Sequence, residues 1–370
     1  MEHLSFLSDK TIAIVGGAGS WGAKISNTLR EVAHDVVIID TDTKPDDVRT
    51  LIKSSDIIFL ASPAQTINGI LMRTRDLLDE KIVLDCATTK SGFADMLKEI
   101  SQSASVCSTH PMVKPETQAR GQNVLLMPVG PHAEKATATA QEIFGRLEMR
   151  QHTIDFNQHQ DLMSILQFVP HLVHRVLIST LGKILADKGM KLETVEDIAP
   201  ANFLVTELAI GRVGMQKPGT SAEIIEEALS TPFGRRIMKE MRKAIVGLLR
   251  SSLSEGTLQS SLDTDVKRLD PSGDWRKRMT EKTEVMIEAM GNLRARSFQL
   301  EAHHDEPGLL RRICDVLEKH GINMTAVHSH LQETETGRCV RFDIGIDDTD
   351  VSFEVLASEF ADLNITCIKK

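Results

Sequence analysis

Five short apolar runs dominate the first third of the chain: TIAIVGG (11–17), DVVIID (35–40), DIIFLAS (56–62), KIVLDCA (81–87) and ASVCSTH (104–110). Segments of helical spacing separate them. Near-continuous apolar runs of this length mark strands buried on both faces, and strands alternating with helices demand a parallel sheet with crossover helices. A further strand is expected at NVLLMPVG (123–130). The alternation leaves little choice of architecture for residues 1–155: a layered α/β fold, whose ligands gather beyond the carboxyl ends of its strands.

The first of those strand ends carries Gly17-Ala18-Gly19-Ser20-Trp21-Gly22, a G-x-G-x-x-G run that follows a strand and opens a helix. Each glycine has a physical task there: a tight turn, close approach of backbone to a pyrophosphate, and close packing of helix on strand. The unpaired N–H groups of the helix then face the phosphates. Asp40 closes the next strand, where a carboxylate can accept from both ribose hydroxyls of NAD and would repel the extra phosphate of NADP. Ser62 and Pro63, at the end of the third strand, complete the expected cofactor set of Gly17, Gly19, Ser20, Trp21, Gly22 and Asp40. A second strand end holds STHPMVKP (108–115). His110 therefore falls at the ligand-bearing edge, beside the strand ending in Asp85-Cys86-Ala87-Thr88, and a strand-end hydroxyl near a strand-end imidazole is a reasonable way to orient a base.

With 370 residues the chain exceeds one ordinary core and is expected to form two or three domains. From about residue 158 apolar residues recur at helical spacing, the first helix ending at Gly189, and helices dominate to about 295. The last segment changes again: strand, helix, hairpin, helix and strand, in the order βαββαβ, make a small α+β domain. The net charge of −9 argues against a nucleic-acid partner. No apolar run looks long enough to cross a bilayer and the first residues lack a secretory pattern, so a cytoplasmic enzyme without a membrane partner is expected. Five scattered cysteines without a C-x-x-C pair suggest free thiols, and no metal site is expected.

Over residues 10 to 295 the chain resembles the prephenate dehydrogenase family, NAD(P)-dependent enzymes of tyrosine biosynthesis. The resemblance rests on IVGGAGSWG; on DCATTK, where the family has an aspartate followed by Ser-Val-Lys; on HPMVKP, where it has His-Pro-Met-Phe-Gly-Pro; and on MSILQFVPHLVH, similar to Met-x-x-Ile-Gln-x-Leu-x-His. ELAIGR resembles a segment ending in a substrate-binding arginine. The resemblance implies an N-terminal Rossmann-like NAD-binding domain (1–155) and an all-α domain (156–296) that binds substrate and makes a homodimer. It implies that His110 takes the proton of the substrate's ring hydroxyl, that Thr88 hydrogen-bonds that histidine, that Arg212 binds a substrate carboxylate, and that His171 lies near the substrate. Val113 and Lys114 depart from the family pattern, and Lys114 is either a further carboxylate contact or a solvated side chain. Gln160 stands where an aspartate is common, and Leu204 where some members have a second arginine. Arogenate or another cyclohexadienyl substrate remains an alternative to prephenate, as does an NAD- and amino-acid-sensing protein without turnover.

Residues 297–370 resemble an ACT domain, a regulatory module that binds amino acids. DEPGLLRRICDVLEKHGINM carries that resemblance, with a Pro-Gly turn before the helix and Gly-Ile-Asn after it. It implies an aromatic amino acid effector near Pro307, Gly308, Leu309 and Asn323, and feedback inhibition by it; a domain kept only for assembly is the rival.

Overall fold

The computed structural model describes residues 6–214, 218–252, 257–295, 297–334, 337–347 and 349–369. They fall into two compact units, one of residues 1–176 with 215–242 and the other of residues 177–214 with 243–370. The helical stretch 156–296 is thus divided between the two.

The first unit begins with β1 (Thr11–Val15), α1 (Ser20–Arg30), β2 (Asp35–Ile39), α2 (Pro45–Ser54), β3 (Ile57–Leu60), α3 (Ala64–Thr74), β4 (Ile82–Asp85), α4 (Ala94–Ile100) and β5 (Ser105–Pro111). It continues through β6 (Asn123–Val129), α5 (Glu134–Arg146) and β7 (Arg150–Thr153). The seven strands form one sheet in the order β2-β1-β3-β4-β5-β6-β7. β3, β4 and β5 are buried along their whole length: β3 is wholly apolar, whereas β4 ends on the buried Asp85 and β5 buries Ser105, Ser108, Thr109 and His110. Two cores cover the faces: Ile12, Ile14, Phe59 and Phe144 belong to one, and Ala13, Leu60, Phe93 and Met127 to the other. All neighbouring strands are parallel except β5 and β6, which pair antiparallel with His110 opposite Leu125. The sheet is therefore mixed rather than wholly parallel. The physical reason is the connection: residues 112–122 hold no helix that could carry the chain back across the sheet. β7 was not legible in advance, because RQHT has no apolar run and lies exposed at the sheet's edge.

The strand order reverses between β1 and β3, and a crevice for ligands forms beyond the carboxyl ends at such a reversal. After β7 the chain enters α6 (His159–Met163), a π-helical turn (Ser164–Phe168) and α7 (Val169–Lys188). The sequence pattern suggests one regular helix here; the structure inserts a π turn into it. By length and composition the continuous helical stretch 156–188 is long and apolar enough to cross a membrane, which corrects the expectation that no such run exists. Only about a fifth of its most apolar window is buried (22%). Its polar side chains His159, His171 and Arg175 nevertheless bond to β5 and to residue 221 within the same unit, so composition alone is a poor guide to its role.

The remaining helices are α8 (Leu192–Glu196), α9 (Ala201–Gly214), α10 (Pro218–Ser230), α11 (Pro232–Ser252), α12 (Thr257–Leu269) and α13 (Asp274–Ala295). α10 and the first half of α11 belong to the first unit. In the second unit, β8 (Ser297–Ala302), α14 (Leu309–Lys319), β9 (Met324–Thr334), β10 (Gly337–Ile346), α15 (Phe353–Asp362) and β11 (Ile365–Lys369) follow α13. They give the order βαββαβ and an antiparallel sheet β11-β8-β10-β9. Its core is Phe298, Leu300, Ile313, Leu317, Ile344 and Phe360. The alternating burial of β8 and the apolar stripe of α14 produce that core directly.

Candidate active site

The glycine loop lies at the crevice between β1 and β3. Gly16, which the G-x-G-x-x-G reading leaves out, adopts φ +81° and would drive a Cβ to 2.3 Å from the Ser62 hydroxyl. A Cβ on Gly22 would meet the Gly16 carbonyl oxygen at 2.0 Å, so α1 can approach β1 this closely only with glycine there. Gly17 packs on Ile38 with no room for a side chain. Gly19 caps α1, and no side chain bonds to the first turn's N–H groups. Those donors are left for an anion, as a dinucleotide pyrophosphate requires. Asp40 sits at the end of β2 with one carboxylate oxygen accepting from the Ala18 N–H at 2.9 Å and the other from its own neighbour Thr41 at 2.8 Å. The carboxylate is thereby fixed against the loop. Ser62 is half-buried and touches this turn, and Pro63 caps α3. Trp21 packs partly on the core, with Lys24 Nζ 5.6 Å above its ring centroid.

His110 occupies the second-last position of β5, on the same sheet edge, and is 2% exposed. Its Nδ1 lies 3.0 Å from Nε2 of His159, and the rings meet edge to face at 5.2 Å between centroids. Gln167 Nε2 stands 3.5 Å from His110 Nε2. The π turn is what brings Gln167 to the ring, since it rotates the side chains of residues 164–168 relative to a regular helix. Thr88 makes no hydrogen bond to His110. It lines a small pocket shared with His159, Gln160, Ser164, Gln167 and Glu227.

Beneath the histidines lies a buried ion pair. Lys90 donates to Asp85 and also to the Thr109 carbonyl at 2.8 Å, while Thr109 Oγ1 donates to the Asp85 carbonyl. The two side chains are 4% and 0% exposed. Among the described residues, neither the second oxygen of Asp85 nor the hydroxyl of Ser108, both buried, has a hydrogen-bond partner. Burial, then the Lys90 cation, then His159, hold His110 well below the ordinary imidazole value of 6.5. Burial and Lys90 push His159 down to about 3. Both rings are therefore neutral across the physiological range, which is the state a general base needs. Burial raises the Cys86 thiol to about 12, so it supplies no thiolate beside the site.

The other expected residues are placed as follows. His171 on α7 is 9% exposed and bonds through Nδ1 to the Ser221 hydroxyl at 3.2 Å, which Arg175 also contacts at 3.0 Å. Burial, then Arg175 and His174, lower the His171 value. Lys114 is exposed, on a loop that Lys24 ties to α1 through the Thr117 carbonyl at 2.9 Å. Arg212 is exposed on α9, which belongs to the second unit. In the tail, Gly308 has φ +87° at the start of α14, Leu309 is buried, Pro307 is exposed, and Asn323 donates to Asp347 at 3.2 Å. Sequence reasoning missed His159, Gln167, Glu227 and the Asp85–Lys90 pair. A charged pair closing a strand inside DCATTK was the one available signal. Among the described residues no group of three or more His, Cys, Asp or Glu could hold a metal ion.

Residues 21–147 match the family model for the nucleotide-binding domain of prephenate dehydrogenase. No curated protein matches the chain. Among solved structures, prephenate dehydrogenase from A. aeolicus in complex with hydroxyphenyl propionate and NAD+ shares the fold with TM-score 0.53 at 16% identity, over 72% of this chain and 100% of that one. A second structure of prephenate dehydrogenase from Aquifex aeolicus gives TM-score 0.53 at 17% identity, over 70% and 99% of the two chains. The nucleotide-binding part of this chain is similar to that of prephenate dehydrogenases, on a fold shared with the Aquifex aeolicus enzyme.

Proposed function

We propose that the chain is an NAD-dependent prephenate dehydrogenase that oxidatively decarboxylates prephenate to 4-hydroxyphenylpyruvate, with His110 as the base. The observation that carries this reading is a buried, neutral histidine on the sheet edge that also holds the glycine loop. When bound, the nicotinamide accepts a hydride from the carbinol carbon. His110 Nε2 takes the hydroxyl proton in the same step, so that a ketone-like centre forms and loss of CO2 makes the ring aromatic. Burial first, and Lys90 after it, keep His110 unprotonated at rest, and Met163, Phe168 and Ile224 give the pocket beside His159 an apolar wall. Asp40 favours NAD over NADP by repelling a ribose phosphate. His171, Arg212 and Lys114 are the proposed contacts to substrate, and Thr88 a further hydroxyl offered to it from the pocket wall.

One observation favours an amino-bearing substrate such as arogenate as the second reading. Glu227 lines the pocket beside Thr88 and His159, and burial raises its carboxyl against hydrogen bonds from Ser91 and Gln160. An ammonium group arriving there would supply the counter-charge that the carboxyl lacks. Rates of nicotinamide reduction with each pairing of NAD or NADP with prephenate or arogenate separate the readings. Fast NADH formation with prephenate is expected. Reduction only with arogenate selects the second reading, and none with any pairing rules out both.

Residues 297–370 are proposed as an ACT domain that binds an aromatic amino acid near Pro307, Gly308, Leu309 and Asn323 and lowers activity. A cytoplasmic homodimer formed through the helical segment completes the proposal. Its βαββαβ order and the left-handed Gly308 turn into α14 support the ACT assignment. Removing residues 298–370 should leave turnover with prephenate and abolish inhibition by tyrosine; inhibition that survives the deletion places the effector elsewhere.

A further inference from the structure

Two buried imidazoles in hydrogen-bond contact constrain one another's protons. A neutral ring carries one N–H and one lone pair, so a bond between two neutral rings needs one of each. His110 and His159 are both neutral, and Nδ1 of the first faces Nε2 of the second at 3.0 Å. The direction of that bond follows from the other side of His110. There Gln167 is oriented with its amide nitrogen 3.5 Å from His110 Nε2, and in that orientation the amide N–H can only donate. His110 Nε2 therefore holds the lone pair, Nδ1 holds the proton, and His159 accepts at Nε2 while keeping its own proton on Nδ1.

We propose that His159 is a positioning residue that sets the working tautomer of His110 and shares the charge His110 acquires, so that the two rings act as one proton-transfer unit. The proposal rests on the reading of His110 as the base. In the step itself the substrate O–H bond breaks and its proton bonds to His110 Nε2. The electron pair left on oxygen forms the carbonyl as the hydride departs to the oxidised nicotinamide. His110 Nδ1–H then either stays, strengthened as a charged donor, or crosses to His159 Nε2; in both cases the pair gains one positive charge.

A neutral imidazole in this place differs in effect from the carboxylate that more often orients a catalytic histidine. A carboxylate would raise the resting basicity of His110 and invite protonation in mild acid. His159 fixes the ring without adding negative charge. The charged groups around the pair are Lys90, itself paired with Asp85, and Glu227, which lines the pocket with His159 from α10. The Lys90 cation opposes protonation of both rings. The result is a base that is weak at rest and remains available in acid.

The test uses the full chain with isotope-labelled histidine, in which nitrogen chemical shifts report the tautomer of each ring. His110 is assigned by the signals lost in a His110→Asn variant. The expected result is a proton on Nδ1 and a bare Nε2 in the wild type, a mixture of tautomers in His159→Leu, and the wild-type form in His159→Gln, whose amide oxygen can accept. With NAD and prephenate, His159→Leu should lower kcat about 10²-fold, leave KM for NAD unchanged and shift the acid limb of the pH profile. His159→Gln should recover most of that rate, and it carries the test alone if the leucine variant does not fold. A proton on Nε2 in the wild type overturns the proposal, as does His159→Gln with unchanged tautomer but the full loss of kcat. Absence of wild-type turnover with prephenate would instead sink the substrate reading, and the tautomer result would stand apart from it.

Discussion

A His110→Asn variant is expected to lose about 10³-fold or more in kcat while binding NAD as the wild type does. The expectation follows from where the two functions are built. The dinucleotide cradle belongs to β1, α1 and the end of β3, with its close contacts among Gly16, Gly22 and Ser62. His110 stands on β5, two strands from β3 across β4, and its ring bonds to His159 and Gln167 rather than to the cradle. Asparagine keeps a polar group near His159 but has no group that accepts a proton at neutral pH. Steady-state rates give kcat, and quenching of tryptophan emission on adding NAD reads the cradle, because Trp21 lies in it. Loss of NAD binding together with turnover would mean that the residue shapes the fold. Full activity would remove His110 from the chemistry and favour a sensing protein. The wild type carries a matching pH signature. A base held well below 6.5 stays neutral as the pH falls through 6, so kcat/KM should hold there and drop only in stronger acid.

The sheet was legible because burial on both faces leaves an unmistakable pattern. IIFL and IVLD are wholly apolar up to their last residue, and the structure buries all of each. The glycine loop was legible for a related reason, since Gly22 has no substitute where a Cβ would meet backbone at 2.0 Å. What escaped was set by contacts between distant segments. β6 reverses because of what its connection lacks, which no strand pattern encodes. His159 opens a polar His-Gln-Asp turn ahead of an apolar helix, with nothing in the pattern to single it out, and only the folded sheet brings it to His110, 49 residues earlier. Gln167 faces His110 through a π turn, and the SILQF sequence offers no breaker that would announce one. Helical periodicity also makes 156–296 look like one block, whereas the contacts divide it between two units. Periodicity reports that a face is apolar, not which neighbour it packs against.

Replacing Lys90 by Met should cost about 3–5 kcal/mol of folding stability, the range found when one partner of a buried ion pair is removed. Asp85 is fully buried, and its second oxygen already lacks a partner among the described residues. Without Lys90 its first oxygen keeps only the Ala87 N–H at 3.1 Å, and the Thr109 carbonyl loses its donor as well. Denaturant midpoints of Lys90→Met, Asp85→Asn and the double variant test this. The double variant should recover much of the loss, because the damage comes from an uncompensated charge rather than from missing volume. Single and double variants of equal stability would show that packing of the Lys90 side chain, whose Nζ lies 5.9 Å from the Phe93 ring centroid, carries the effect. The same substitution reaches the chemistry. Lys90 ranks after burial among the causes that depress His110, so its removal should raise the histidine's value part of the way back toward 6.5. A base that protonates more readily loses activity at higher pH, and the acid limb of kcat/KM should move upward in Lys90→Met. An unmoved limb in a folded Lys90→Met protein would mean that burial alone keeps His110 neutral, and that the ion pair serves the fold and not the base.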